Sequence, residues 1–160
     1  MISSAALVHE PARRTTVHGE FDVVVLGGGP AGLAAATAAA TAPGGARVLL
    51  VERYGFLGGM GTAAGVTNFC GLHANVHGEH RQVVHGVVDD LLARMRALDG
   101  LNEPHLVLGR VLAQAYDTAA FKCAADELLR SAGVELLLHA LGVGVLRHDD
   151  GSLDALLLET

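Results

Sequence analysis

The chain has no tryptophan, and aromatic residues make up only 4% of its 160 residues. Single-stranded nucleic acids are held on stacking aromatics, and nucleic-acid binders in general carry basic stripes. With a net charge of −6 and a pI near 5.8, neither is present, so no nucleic-acid partner is expected. The two cysteines, Cys70 and Cys123, are far apart, which argues against a disulfide framework and for a reducing, cytoplasmic setting. No membrane is expected either, since the weakly apolar Ala31–Ala42 stretch is too short to cross a bilayer. The Arg13-Arg14 pair does not lead into an apolar segment with a cleavage site. Residues 1–19 therefore read as a flexible tail, and 20–160 as one domain.

What the chain does have is glycine, 21 residues of it, and 51% hydrophobic residues. The informative stretch runs from Asp22 to Glu52. Val23 to Leu26 form the continuous apolar run of a parallel strand buried on both faces. Gly27-x-Gly29-x-x-Gly32 follows, then an Ala-rich helix, then the apolar strand 47–51, then Glu52. This is the fingerprint of a dinucleotide-binding βαβ unit. Gly27 serves the tight turn, Gly29 admits a pyrophosphate to the backbone, and Gly32 lets helix and strand approach. Pro30 suits the first helical turn, where a missing N–H costs nothing, and the amides that follow from Ala31 onward face an anion. Glu52 is placed to accept hydrogen bonds from ribose hydroxyls. A phosphate-binding P-loop is excluded, because no Lys-Ser/Thr pair follows the glycines.

After Glu52 the chain reads Arg53-Tyr54-Gly55-Phe56-Leu57-Gly58-Gly59-Met60-Gly61-Thr62. With this second glycine turn it resembles the FAD-dependent oxidoreductases of the two-dinucleotide-binding-domain group. The segments GGMGTAAGVTNFCGL and YDTAAFKCAADELLRSAGVELLLHA carry the resemblance on to residue 160. It implies an α/β fold, a Rossmann-like FAD-binding domain with a parallel sheet and an added β-hairpin. It implies FAD as cofactor, with Glu52 and the neighbouring Arg53 at the adenosine end. Gly58, Gly59, Met60, Gly61 and Thr62 would run beside the pyrophosphate and ribityl chain, and adenine would rest near Gly142. A small-molecule substrate would exchange a hydride or electrons with the flavin. Flavoproteins of this kind are longer, and the chain stops inside an apparent strand. It is therefore expected to be the N-terminal part of a larger flavoprotein, incomplete at its C-terminus. Two other readings stay open. One is a non-catalytic dinucleotide-binding subunit completed by a partner chain or by a homo-oligomer. The other is an NAD-dependent dehydrogenase domain, against which only the Leu-Gly-Gly turn and the hairpin argue.

The pattern predicts strands over 21–26, 47–52 and 134–138, helices over 30–41, 81–98 and 118–131, and a hairpin from 142–147 and 152–158. Residues 54–80 read as a cofactor-facing loop. Catalytic candidates are few. Cys70 lacks a nearby second thiol for dithiol chemistry and is either a flavin neighbour or a small packed residue; Cys123 reads as packing. His73, His77, His80 and His85 are close in sequence, but Asn75 and Gly78 interrupt them, and no metal site is assigned. His73 is the candidate proton-transfer group, because it lies nearest the glycine loop and histidine titrates near neutrality. Arg110 and Lys122 read as surface charges.

Overall fold

The computed structural model describes residue 12 and residues 14–160. Most of the tail expected over 1–19, including Arg13, lies outside the described residues; residues 14–20 are exposed and carry no regular element. The elements in chain order are β1 (Val23–Leu26), α1 (Pro30–Thr41), β2 (Val48–Val51), β3 (Asn68–Cys70), β4 (His73–Val76), β5 (Glu79–Gln82), α2 (Val87–Ala97), β6 (His105–Val107), β7 (Val111–Ala115), α3 (Thr118–Ser131), β8 (Glu135–Leu137), β9 (Leu141–Arg147) and β10 (Leu153–Glu159).

The expected βαβ unit forms. β1 pairs with β2 in parallel, Val23 opposite Val48 through Leu26 opposite Val51. β8 adds in parallel on the far side of β2, giving the order β1-β2-β8. The helices cover one face of this sheet. Leu33 and Ala36 of α1, Val48 and Leu50 of β2, Met95 of α2, and Phe121, Leu128 and Leu129 of α3 form one core. On the opposite face Leu49, Val51 and Ala140 pack with Phe21, Leu137 and Leu158, so the β9–β10 hairpin supplies a third layer.

Local chemistry accounts for the helix ends. α1 ends before Pro43-Gly44 as its sequence requires. Asp117 caps α3, its carboxylate accepting from Ala119 N at 2.7 Å and Ala120 N at 2.9 Å, and Gly133 at φ +76° stops the helix. The predicted face of α3 is the buried one.

The structure corrects four expectations. β1 is an edge strand and not buried on both faces: Val23 and Val25 meet the helices, while Val24 and Leu26 are 39% and 53% exposed. Residues 54–80 are not one loop. They contain a 3-10 turn (Gly59–Gly61), β3, β4 and the start of β5. Asn75 and Gly78, read as loop markers, build the β4–β5 hairpin, with His77 at φ +53°, Gly78 at φ +88° and the Asn75 side chain accepting from Gly78 N. The helix expected over 81–98 starts at Val87, because Gln82 still pairs with His73 and Gly86 stands at φ +97°. Finally, β6 and β7, which no sequence reading assigned, form an antiparallel sheet in the order β3-β7-β6.

The two faces of the sheet should respond differently to substitution. Phe121→Ala, at a fully buried ring, should lower stability by about 3–5 kcal/mol in urea unfolding. Val24→Ser, on the open face of β1, should change it by about 0.5 kcal/mol or less.

Candidate functional site

β1 delivers the chain into Gly27, whose N–H donates to Val51 O at 2.8 Å and carries the sheet ladder one step further. The helix then starts very close to the strand: a Cβ on Gly32 would lie 1.8 Å from Gly27 O, so only glycine fits. The N-cap of α1 is Gly29, with no side-chain cap and no acidic residue in the first turn. The first bond closing the helix runs from Leu33 N to Gly29 O at 2.9 Å. The amides of Ala31 and Gly32 therefore precede the helical ladder and lie at the positive end of the helix dipole. Such a terminus suits an anion.

The second glycine turn is seated on the first. Gly58 N donates to Gly28 O at 2.8 Å. A Cβ on Gly59 would stand 2.8 Å from Gly29 Cα, so the two backbones meet with no space for a side chain between them. Thr62 does not point its hydroxyl outward; it donates to Leu57 O at 2.7 Å and closes the turn.

Glu52 ties the first turn to the chain leaving β2. It is 6% exposed, and its carboxylate accepts from Gly28 N at 2.7 Å and from Tyr54 N at 2.9 Å. Beside it a cleft of about 260 Å³ opens between the ends of β1 and β2 and the start of β9. Gly27, Val51, Glu52, Arg53, Leu141 and Gly142 line it. Four residues singled out in the sequence (Gly27, Glu52, Arg53 and Gly142) thus share one cleft. Gly29, Pro30, Ala31 and Gly32 stand at the adjoining helix start, with Gly58 and Gly59 against them.

The remaining candidates are more scattered. Arg53 is exposed, donates from Nη2 to the Tyr54 hydroxyl at 2.8 Å and lies 4.7 Å over that ring. Met60 is 63% exposed, whereas Gly61 is buried. Cys70 ends β3 and is exposed, so it is not a packed residue. Cys123 is likewise exposed on α3, contrary to its reading as packing. His73 is half-buried on β4, in a different sheet from Cys70. Burial, then the Arg96 guanidinium, then His80 push its pKa below the usual 6.5, so it is neutral at pH 7. Lys122 places its ammonium 3.7 Å over the Phe56 ring. Among the described residues no three His, Cys, Asp or Glu side chains gather to hold a metal.

Sequence reasoning missed Gly28, Tyr54 and Leu57. Gly28 was only a filler position in the fingerprint, yet its amide anchors Glu52. The unbroken Gly27-Gly28-Gly29 run was the available signal.

Glu52→Gln should leave one of the two backbone amides facing an amide NH₂, with about 1–3 kcal/mol lost in urea unfolding. His73 should titrate below 6.5 by NMR, and Arg96→Ala should raise its pKa. Because folding favours the neutral form, the His73 contribution to stability should be intact above pH 6.5 and decline as the pH falls through the folded value.

Several solved structures share the fold. The structure of THI4 from Thermovibrio ammonificans superposes with a TM-score of 0.55 at 17% identity, over 87% of this chain and 47% of that one. PqsL from P. aeruginosa, solved with 2-aminobenzoylacetate, gives 0.54 at 19% identity, over 86% and 38%. A geranylgeranyl bacteriochlorophyll reductase-like protein from Thermoplasma acidophilum gives 0.53 at 17%, over 86% and 34%. The chain thus spans about half the length of the THI4 structure and less of the other two. No curated protein matches it. No helix among the described residues is long and apolar enough to cross a membrane. The sequence model of the FAD dependent oxidoreductase family matches residues 22–160. The chain belongs to the FAD dependent oxidoreductase family, and FAD is its cofactor.

Proposed function

We propose that residues 20–160 are the FAD-binding portion of a cytoplasmic oxidoreductase acting on a small molecule. The observation that carries this reading is the contact of two glycine turns, Gly29 against Gly59, with the Glu52 carboxylate hydrogen-bonded to Gly28 N of the first turn and to Tyr54 N of the segment that leads to the second. The residues fit the cofactor. Each Glu52 oxygen spends one lone pair on a backbone amide, and the other lone pairs remain for ribose hydroxyls at the cleft. Val51 and Leu141 offer apolar walls for adenine, with the Gly142 backbone beside them. The amides of Ala31 and Gly32 bind the pyrophosphate, and Gly58 to Thr62 flank the ribityl chain. Arg53 adds a cation at the adenosine end. When bound, FAD supplies hydride or electron transfer; the chain binds it, orients it and keeps side chains out of its path. His73, neutral at pH 7, is the candidate proton acceptor on the substrate side. Cys70 remains a candidate flavin neighbour.

One observation favours a second reading, in which the domain needs a partner chain to complete it. Among the described residues no strand pairs with the outer edge of β1, and Val24 and Leu26 are exposed. A parallel sheet is ordinarily covered on both faces, and an open apolar edge invites another strand.

The two readings separate in one experiment. Purified chain mixed with FAD and then filtered should retain flavin bands near ~370 and ~450 nm. Folded, colourless protein that binds no FAD would refute the self-sufficient site and favour completion by a partner. Where FAD binds, Glu52→Ala should raise its Kd about tenfold or more, given the loss of charge-assisted hydrogen bonds.

A further inference from the structure

We infer that Tyr116 is a positioning residue for FAD: its buried hydroxyl latches the second glycine turn in the shape the cofactor requires. This rests on the placement of FAD beside Gly58 to Thr62 proposed above.

Tyr116 follows β7 and is 7% exposed. Its hydroxyl stands 2.6 Å from Val66 O and 3.2 Å from Gly61 O. One O–H thus serves two carbonyls five positions apart, at the two ends of an outward loop whose residues 63–66 are exposed. The ring is fixed from below. Its centroid lies 4.3 Å from that of Phe69 and 5.3 Å from that of Phe121, edge-on to the latter. Above it the chain comes so close that a Cβ on Gly61 would lie 2.8 Å from the Tyr116 hydroxyl and 2.3 Å from Phe121. The backbone adds Tyr116 N donating to Thr67 O at 3.0 Å. Burial also pushes the phenol pKa above its ordinary 10.0, so the hydroxyl keeps its proton at any working pH.

The loop has little else from the core to hold it. Its own bonds are short-range, Ala63 N to Gly59 O at 2.8 Å and Val66 N to Met60 O at 3.2 Å. Thr62 ties back to Leu57 O through its hydroxyl and to Gly59 O through its N–H. Without the Tyr116 hydroxyl two carbonyls lose their donor, while the aromatic packing beneath survives. The turn would then be held against Gly29 only through Gly58 N donating to Gly28 O and its own short-range bonds, and only a fraction of molecules would present the competent shape. Apparent affinity falls in proportion to that fraction.

Tyr116→Phe tests this. FAD Kd, read by flavin fluorescence, should rise about tenfold if the competent fraction falls to about one tenth. In the protein without FAD, hydrogen exchange at the amides of 61–66 should quicken about tenfold, as expected for loss of a local hydrogen bond. Leu129→Ala is the comparison for purely structural damage: it should lower Tm while leaving FAD Kd within about twofold, since its cavity lies in the core under α3. Unchanged Kd, or unchanged exchange at 61–66, in Tyr116→Phe would overturn the latch. Should that variant fail to fold, replacement of tyrosine by 3-fluorotyrosine keeps ring and fold with a stronger O–H donor. Exchange at 61–66 should then slow, and faster or equal exchange overturns the proposal. If wild-type protein binds no FAD, the cofactor role of Tyr116 falls together with the site. The exchange experiment still reports whether the hydroxyl holds the loop, so the two failures are told apart.

Discussion

A buried carboxylate organises this molecule. Removing a charge from water is costly unless hydrogen bonds replace the lost hydration. Glu52 finds two backbone donors, Gly28 N and Tyr54 N, and these belong to two different loops. Satisfying one side chain therefore fixes the glycine turn after β1 relative to the chain leaving β2. Gly58 N donating to Gly28 O and the contact of Gly59 with Gly29 complete the tie. The site is thus largely backbone. Side chains take part mainly by being absent.

That construction suits a long anionic cofactor. An uncapped helix N-terminus offers amides and a partial positive charge without a competing carboxylate. The cleft at Glu52 and Gly142 opens between the ends of β1 and β2 and the start of β9. Beneath the second turn, the aromatic group of Phe69, Tyr116 and Phe121 links the cofactor side to α3 and to the β3-β7-β6 sheet. The second turn and the core are therefore joined through a few rings.

The family supplies the cofactor, and the chain's own residues explain how it would be held. The substrate stands apart from both. His73 and Cys70 lie in small antiparallel sheets away from the parallel one, and the chain spans about half of the THI4 structure it resembles. Among the described residues β1 stands at the edge of the parallel sheet.

Much of this was legible in the residues. Local rules set the bounds of α1 and α3, because a proline, a glycine stop and an Asp cap act over single turns. The GxGxxG spacing and Glu52 marked residues that the structure brings together, because close approach of two backbones demands glycine at fixed intervals. Three-dimensional pairing decided the rest. Val23–Leu26 has the composition of a doubly buried strand, yet its place at the sheet edge leaves one face open. Residues 73–80 contain His, Asn, Gly and Glu, which read as loop, but cross-strand bonds make them, with Arg81 and Gln82, a hairpin. Tyr116 looked like one more aromatic, and its hydroxyl reaches Gly61 and Val66 only once β7 is folded beneath the turn. Short-range chemistry was determined by the sequence alone; edges, registers and contacts across 50 residues were decided by the tertiary structure, since they depend on which distant segments come to lie together.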